Sequence, residues 1–187
     1  MSDKPSIEHI TQVWNDADCL FSNEQVEAAI DSVAKAMTQQ FAHDNPLFVC
    51  VMTGGVIFYS KLLLKLGFPL EMDYMQVSRY RNQTQGGQLE WKVKPNKALK
   101  DRVVILVDDI FDEGYTLEAV IKEVKQMGVK AVYSAVLVNK LHDRKCDPNF
   151  TVDFVGLEAE DRYLFGYGMD YKGYLRNAPG IYAVKGL

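Results

Sequence analysis

Apolar and polar residues alternate with several distinct periods along this chain, and each period predicts an element. Val26, Ile30, Val33, Met37 and Phe41 recur at helical spacing, and Ser22 with Gln25 reads as a capping box in front of them. That predicts a helix over residues 22–41, ended by Asn45-Pro46. The compact run Leu47 to Met52 follows as a buried strand, then Thr53-Gly54-Gly55, then a helix from Val56 to Leu66 closed by Gly67. Leu70 to Ser78 alternates as a strand, Arg79 to Gly87 is polar and glycine-containing, and Gln88 to Val93 resumes as a strand. Arg102 to Val107 (RVVILV) is a buried strand, Asp108 to Tyr115 a turn, and Thr116 to Met127 an amphipathic helix. Leu117, Val120, Ile121, Val124 and Met127 share one face of that helix, and Gly128 ends it. Ala131 to Val138 completes a strand–helix–strand unit, and Val152 to Leu157 adds a further strand. The tail from Gly166 to Leu187, rich in Tyr and Gly, resists assignment.

Strand, helix and strand in this order predict an α/β fold, a doubly wound, mostly parallel sheet with ligands at the carboxyl ends of its strands. A length of 187 residues suits one domain and one sizeable core. The hydrophobic fraction of 48% and charged fraction of 25% exclude a collagen-like or disordered chain. No apolar run approaches the length needed to span a bilayer, and MSDKPSIEH lacks an export-type pattern, so a cytoplasmic location is expected. Cys19, Cys50 and Cys146 have neither disulfide-framework nor zinc-ligand spacing. A net charge of −4 argues against general nucleic-acid binding.

The segment richest in chemistry is Val103 to Thr116, VVILVDDIFDEGYT. Asp108, Asp109 and Asp112 leave a strand as Glu113, Gly114 and Thr116 open a helix, whose free amides and positive dipole end suit a phosphate. Adjacent carboxylates suit a metal ion or the two hydroxyls of a ribose. The same residues could also serve only as turn and capping chemistry. No GxxxxGK[ST] motif occurs, which excludes a P-loop enzyme, and no motif supports His9, His43 or His142 in a nucleophilic scheme.

Val103 to Thr116 resembles the signature of the type I phosphoribosyltransferases, which bind 5-phosphoribosyl-1-diphosphate (PRPP). Met52-Thr53-Gly54-Gly55 resembles the family's first loop, and Ser78 to Gly87 its flexible second loop. Val138-Asn139-Lys140 and the segment from Tyr163 to Tyr171 (YLFGYGMDY) resemble the purine-binding segments of its hypoxanthine-guanine branch. The resemblance implies a purine-salvage transferase joining PRPP to a 6-oxopurine. It implies a single domain over 1–187, with a core of about residues 45–165 and a small hood built from the N-terminal segment and the C-terminal tail.

It also implies roles. Asp112 would be the catalytic base. Asp108, Asp109, Glu113, Gly114, Tyr115 and Thr116 would hold the ribose and its phosphate. Thr53, Gly54, Gly55, Arg79, Tyr80 and Arg176 would bind pyrophosphate. Lys140, Tyr163 and Leu164 would bind the purine, and Asp108, Asp109 and Asp170 would ligate Mg²⁺. Residues 79–87 would close as a lid. Thr53 stands where relatives carry lysine, Arg79 where the family has serine, and Glu113 and Tyr115 where Thr and Lys are common. Glu113 is therefore expected to turn away from the phosphate. A homodimer or homotetramer is expected, without membrane or nucleic-acid partners. The alternative in another class is a PRPP-sensing regulator of the same fold.

Overall fold

The computed structural model describes residues 4–79 and 89–187. The elements run α1 (Ile7–Asp16), β1 (Asp18–Ser22), α2 (Asn23–Phe41), β2 (Leu47–Met52), α3 (Val56–Leu63), β3 (Glu71–Arg79), β4 (Leu89–Val93), β5 (Val103–Phe111), α4 (Tyr115–Gln126), β6 (Ala131–Leu141), β7 (Phe154–Glu160), β8 (Leu164–Phe165) and β9 (Gly180–Ala183). A six-stranded sheet has the order β4-β3-β2-β5-β6-β7, parallel except for the edge strand β4. A separate antiparallel sheet, β1-β9-β8, joins an N-terminal strand to the tail.

Both faces of the large sheet are covered, which is why β2 and β5 read as continuous apolar runs instead of alternating. Phe48 and Cys50 of β2 and Val103, Ile105 and Val107 of β5 pack toward α2 and α3. Leu47, Val49 and Val51, with Val104 and Leu106, pack with Leu117, Val120 and Val124 of α4. Each fully buried Val or Leu contributes about 1.5–3 kcal/mol by transfer from water. A third, smaller core of Ile10, Phe165, Tyr171, Leu175, Ala178 and Val184 joins the N-terminal helix to the tail. Among the described residues, no helix is long and apolar enough to cross a membrane.

Most expected elements are present, and the capping box on α2 forms in full. Four expectations change. The Asp108–Asp109 pair is not in a turn, because β5 continues to Phe111, held by pairing of Asp108, Ile110 and Phe111 with β6. Helix α3 stops at Leu63, and Gly67 is not the left-handed cap expected of it. β6 runs on to Leu141, so Asn139 and Lys140 belong to a strand. The tail holds β9 and two isolated bridges, Gly166–Met169 and Tyr171–Tyr174. Arg79 closes β3, while Tyr80 and the rest of the expected lid lie outside the described residues.

Candidate active site

The order of the sheet creates the crevice. β2 is followed in sequence by its neighbour on one side, β3, and flanked on the other by β5, so the chain switches direction between β2 and β5. Pairing between these two strands ends at Cys50 with Val107, and beyond that point β5 continues alone against β6. Asp108 and Asp109 are the first residues past the split. The strand's alternation sends Asp108 to the α4 side and Asp109 to the opposite side, where Gly54 lies against it. A Cβ built on Gly54 would stand 2.2 Å from Asp109 Oδ2.

Asp109 is 7% exposed, and its backbone N–H donates to Asp108 Oδ1 at 2.9 Å. Burial raises both carboxyls above their ordinary range, and the charge of Asp109 raises Asp108 further. Among the described residues, Arg176 is the positive group that pairs with Asp109, 4.0 Å from its Oδ2, and it opposes this rise in both carboxyls. Arg176 is placed by Asp170 Oδ1 at 2.5 Å and by donating to the Gly168 carbonyl. Asp170 Oδ2 in turn accepts the Gly173 N–H at 2.6 Å. Gly168 is required at its position: its φ is +110°, and a Cβ there would stand 2.0 Å from the Gly54 carbonyl oxygen. The tail therefore sits directly on the first loop. Tyr167 ties it to α2 by donating to Asn23 and Glu27 at 2.6 and 2.8 Å.

Gly114, at φ +87°, turns the chain into α4 as its N-cap residue. A cavity of about 340 Å³ is lined by Asp108, Asp109, Asp112, Glu113, Gly114, Tyr115 and Thr116, with Val51, Met52, Val77, Ile110, Phe111 and Leu117. Here the first turn of α4 and adjacent carboxylates converge. A second cavity, of about 470 Å³, shares Asp109, Ile110 and Asp112 with the first and adds Gly54, Lys140, Tyr163, Leu164, Met169, Asp170 and Arg176. One hollow thus has an acidic, helix-capped end and an end with a lysine and a tyrosine. Tyr163 is partly exposed and meets Tyr171 edge to face at 5.5 Å. Glu113 is exposed and 3.4 Å from Arg144, and it is also among the residues lining the first cavity.

Asp112 differs from its neighbours. Its Oδ1 lies 2.7 Å from His142 Nε2 and its Oδ2 3.2 Å from Lys140 Nζ. Burial pushes this carboxyl up, but the His142 hydrogen bond and Lys140 charge outweigh it and hold it below the ordinary aspartate value. Lys140 is 7% exposed and also pairs with Asp161 at 3.0 Å. Asp161 is pulled down to about 2 by Arg144, which it meets at 2.6 Å, and by Lys140. Lys145 donates to the Phe111 and Asp112 carbonyls at 2.9 and 2.6 Å and to Asn139 Oδ1 at 3.1 Å, fixing the turn from beneath. Asp112, His142 and Asp161 could by spacing hold a metal ion, but the Lys140 ammonium already bridges the two carboxylates.

The fold therefore brings together Thr116, Gly54, Asp108, Asp109, Asp112, Lys140, Tyr163, Leu164, Asp170 and Arg176 around one hollow. Thr53 and Gly55 flank Gly54 in the same loop, though neither lines the two cavities. Sequence reasoning missed His142, Arg144, Lys145 and Asp161. The cluster of His142, Arg144 and Lys145 shortly after Lys140 was the available signal, and its acidic partners come from the turns that follow β5 and β7, which spacing along the chain does not reveal.

The phosphoribosyl transferase domain profile matches residues 16–172. The chain is similar to a hypoxanthine-guanine-xanthine phosphoribosyltransferase of Tritrichomonas foetus, with 29% identity over 99% of this chain and 97% of the relative. It is 30% identical to the hypoxanthine-guanine phosphoribosyltransferase of Bacillus subtilis, over 89% of this chain and 92% of that one. Among solved structures it resembles a hypoxanthine-guanine phosphoribosyltransferase of Bacillus anthracis, with TM-score 0.84 and 27% identity over 89% of this chain and 98% of that one. With the profile spanning most of its length, and the sheet order, split strand and glycine-capped helix in place, the chain belongs to the phosphoribosyl transferase domain family.

Proposed function

We propose that this protein is a purine-salvage hypoxanthine-guanine phosphoribosyltransferase, joining a 6-oxopurine and PRPP to give the nucleoside 5′-monophosphate and pyrophosphate. The observation that carries this reading is the pairing of Lys140, which lines the larger cavity, with Asp112, which lines both. An ammonium only donates, so it donates to the O6 of a 6-oxopurine and disfavours a 6-amino group. Tyr163 offers its ring to the purine face, and Leu164 lies beside it. Asp112 takes a proton at purine N7 as N9 attacks the anomeric carbon.

At the other end, backbone amides from Glu113 to Thr116 and the Thr116 hydroxyl receive the 5′-phosphate, and Asp108 and Asp109 accept from the ribose hydroxyls. Thr53, Gly54, Gly55 and Arg176 receive pyrophosphate, joined by Arg79 and Tyr80. Asp108, Asp109 and Asp170 suit Mg²⁺. They are oxygen donors, and the raised carboxyls at Asp108 and Asp109 mark a place short of positive charge. The ion would supply charge compensation for the leaving pyrophosphate. Action in the cytoplasm as a homodimer or homotetramer completes the proposal, and exposed Val56, Met72 and Tyr74 beside one recess supply an apolar face for a second copy.

A spectrophotometric assay with PRPP, Mg²⁺ and each purine in turn tests it. Turnover of hypoxanthine or guanine is expected. Turnover of adenine alone would overturn the specificity, and turnover of no base would favour a PRPP-binding regulator.

A further inference from the structure

The two oxygens of Asp112 are used differently. Oδ2 faces Lys140 in the cavity wall, whereas Oδ1 lies 2.7 Å from His142 Nε2. The other ring nitrogen of His142, Nδ1, accepts the backbone N–H of Arg144 at 3.1 Å. A nitrogen that accepts carries no hydrogen, so the neutral ring bears its hydrogen on Nε2 and donates it to Asp112. The imidazole is 4% exposed, so water does not compete for either nitrogen. Arg144 is itself anchored to Asp161 at 2.6 Å, which holds in place the turn that supplies the amide.

We propose that His142 is a positioning residue for Asp112: its ring, locked as the Nε2–H form by the Arg144 amide, holds Oδ1 and leaves Oδ2 as the oxygen that meets the purine. The inference rests on the proposed transferase reading. His142 is a fixed donor and not a relay. A ring carrying hydrogen on Nε2 and accepting at Nδ1 takes a second proton only by breaking the Arg144 bond. The proton removed from the purine therefore ends on Asp112 Oδ2, while N9 bonds to the anomeric carbon and pyrophosphate leaves with the electrons of the broken C–O bond. Lys140 from β6 and His142 and Lys145 from the following segment face Asp112, with Asp161 one step away across Lys140.

The full-length protein with Mg²⁺ provides the test. In ¹⁵N-histidine spectra at about pH 8, where an ordinary imidazole is neutral, the signal lost in His142→Gln should show Nε2–H and an unprotonated Nδ1. An Nδ1–H tautomer overturns the proposal. His142→Leu should lower kcat about tenfold, leave the KM for PRPP within about twofold, and move the acid limb of the kcat profile to higher pH. His142→Gln, whose amide donates from a similar place, should recover most of the loss. Equal loss in both variants with a raised KM for PRPP, or wild-type kcat in both, rejects the role. If the wild type turns over no purine, the transferase reading and the kinetic role fall together; wild-type turnover with the wrong tautomer removes His142 alone.

Discussion

Asp109 and Asp112 are three residues apart on one strand-to-helix segment, yet the fold gives their carboxyls opposite surroundings. Asp109 is buried beside Asp108, with Arg176 at 4.0 Å as its compensating charge among the described residues, and its carboxyl is raised. Asp112 stands between a histidine donor at 2.7 Å and a lysine at 3.2 Å, and its carboxyl is lowered. The first environment is short of positive charge and suited to receive cations or hydroxyl donors. The second is already balanced and keeps its carboxylate ionised, ready to accept a proton. One residue type thus supports two chemistries because its environment, not its identity, sets the charge it carries.

The contrast can be broken most severely at Gly54. Gly54→Ala puts a Cβ within 2.2 Å of Asp109 Oδ2, so Asp109 must move. A displacement of this size should cut kcat/KM for PRPP about 10²-fold or more, measured by steady-state kinetics. Asp112→Asn tests the other side. It keeps the shape but removes the proton acceptor, and should lower kcat by about 10² while changing the KM for PRPP little. A normal kcat would reject Asp112 as the base.

The smallest effect is on stability. A carboxyl raised in the folded state makes the native protein bind more protons than the unfolded chain. Its contribution is therefore present below the ordinary aspartate value and lost as pH rises through the raised one. At neutral pH the Asp108–Asp109 pair is a net cost. Asp108→Asn should then raise the Tm of the metal-free protein by roughly 3 °C, as about 1 kcal/mol does in a chain of this size. The gain should vanish at acid pH, and added Mg²⁺ with PRPP should stabilise the wild type more than the variant. Differential scanning calorimetry checks both, and an unchanged or lower Tm at neutral pH would contradict the charge deficit.

Legibility followed the range of the interactions. The segment from Val103 to Thr116 was readable because strand, carboxylates, glycine and helix start are contiguous, and their spacing carries the chemistry. Even there the strand was read as ending at Val107. The pattern marks where burial on both faces stops, whereas pairing with β6 carries the strand on to Phe111. Lys140, Tyr163 and Arg176 needed family resemblance, since an isolated lysine, tyrosine or arginine has no periodic signal. His142 was passed over because a lone histidine signals nothing until its partner is known, and its partner is 30 residues away.

What the sequence determined by itself is the local part. It set the alternation of strands and helices, the capping box at Ser22, the apolar face of α4 and the glycine that admits it, because these depend on propensity and periodicity over a few residues. Tertiary structure alone decided which carboxylates face which cations. Asp112 meets His142 because β5 and β6 lie side by side, and Gly168 meets Gly54 because Tyr167 pins the tail to α2. Electrostatic energies depend on distances in space, and the order of the sheet, not the order of the chain, sets those distances.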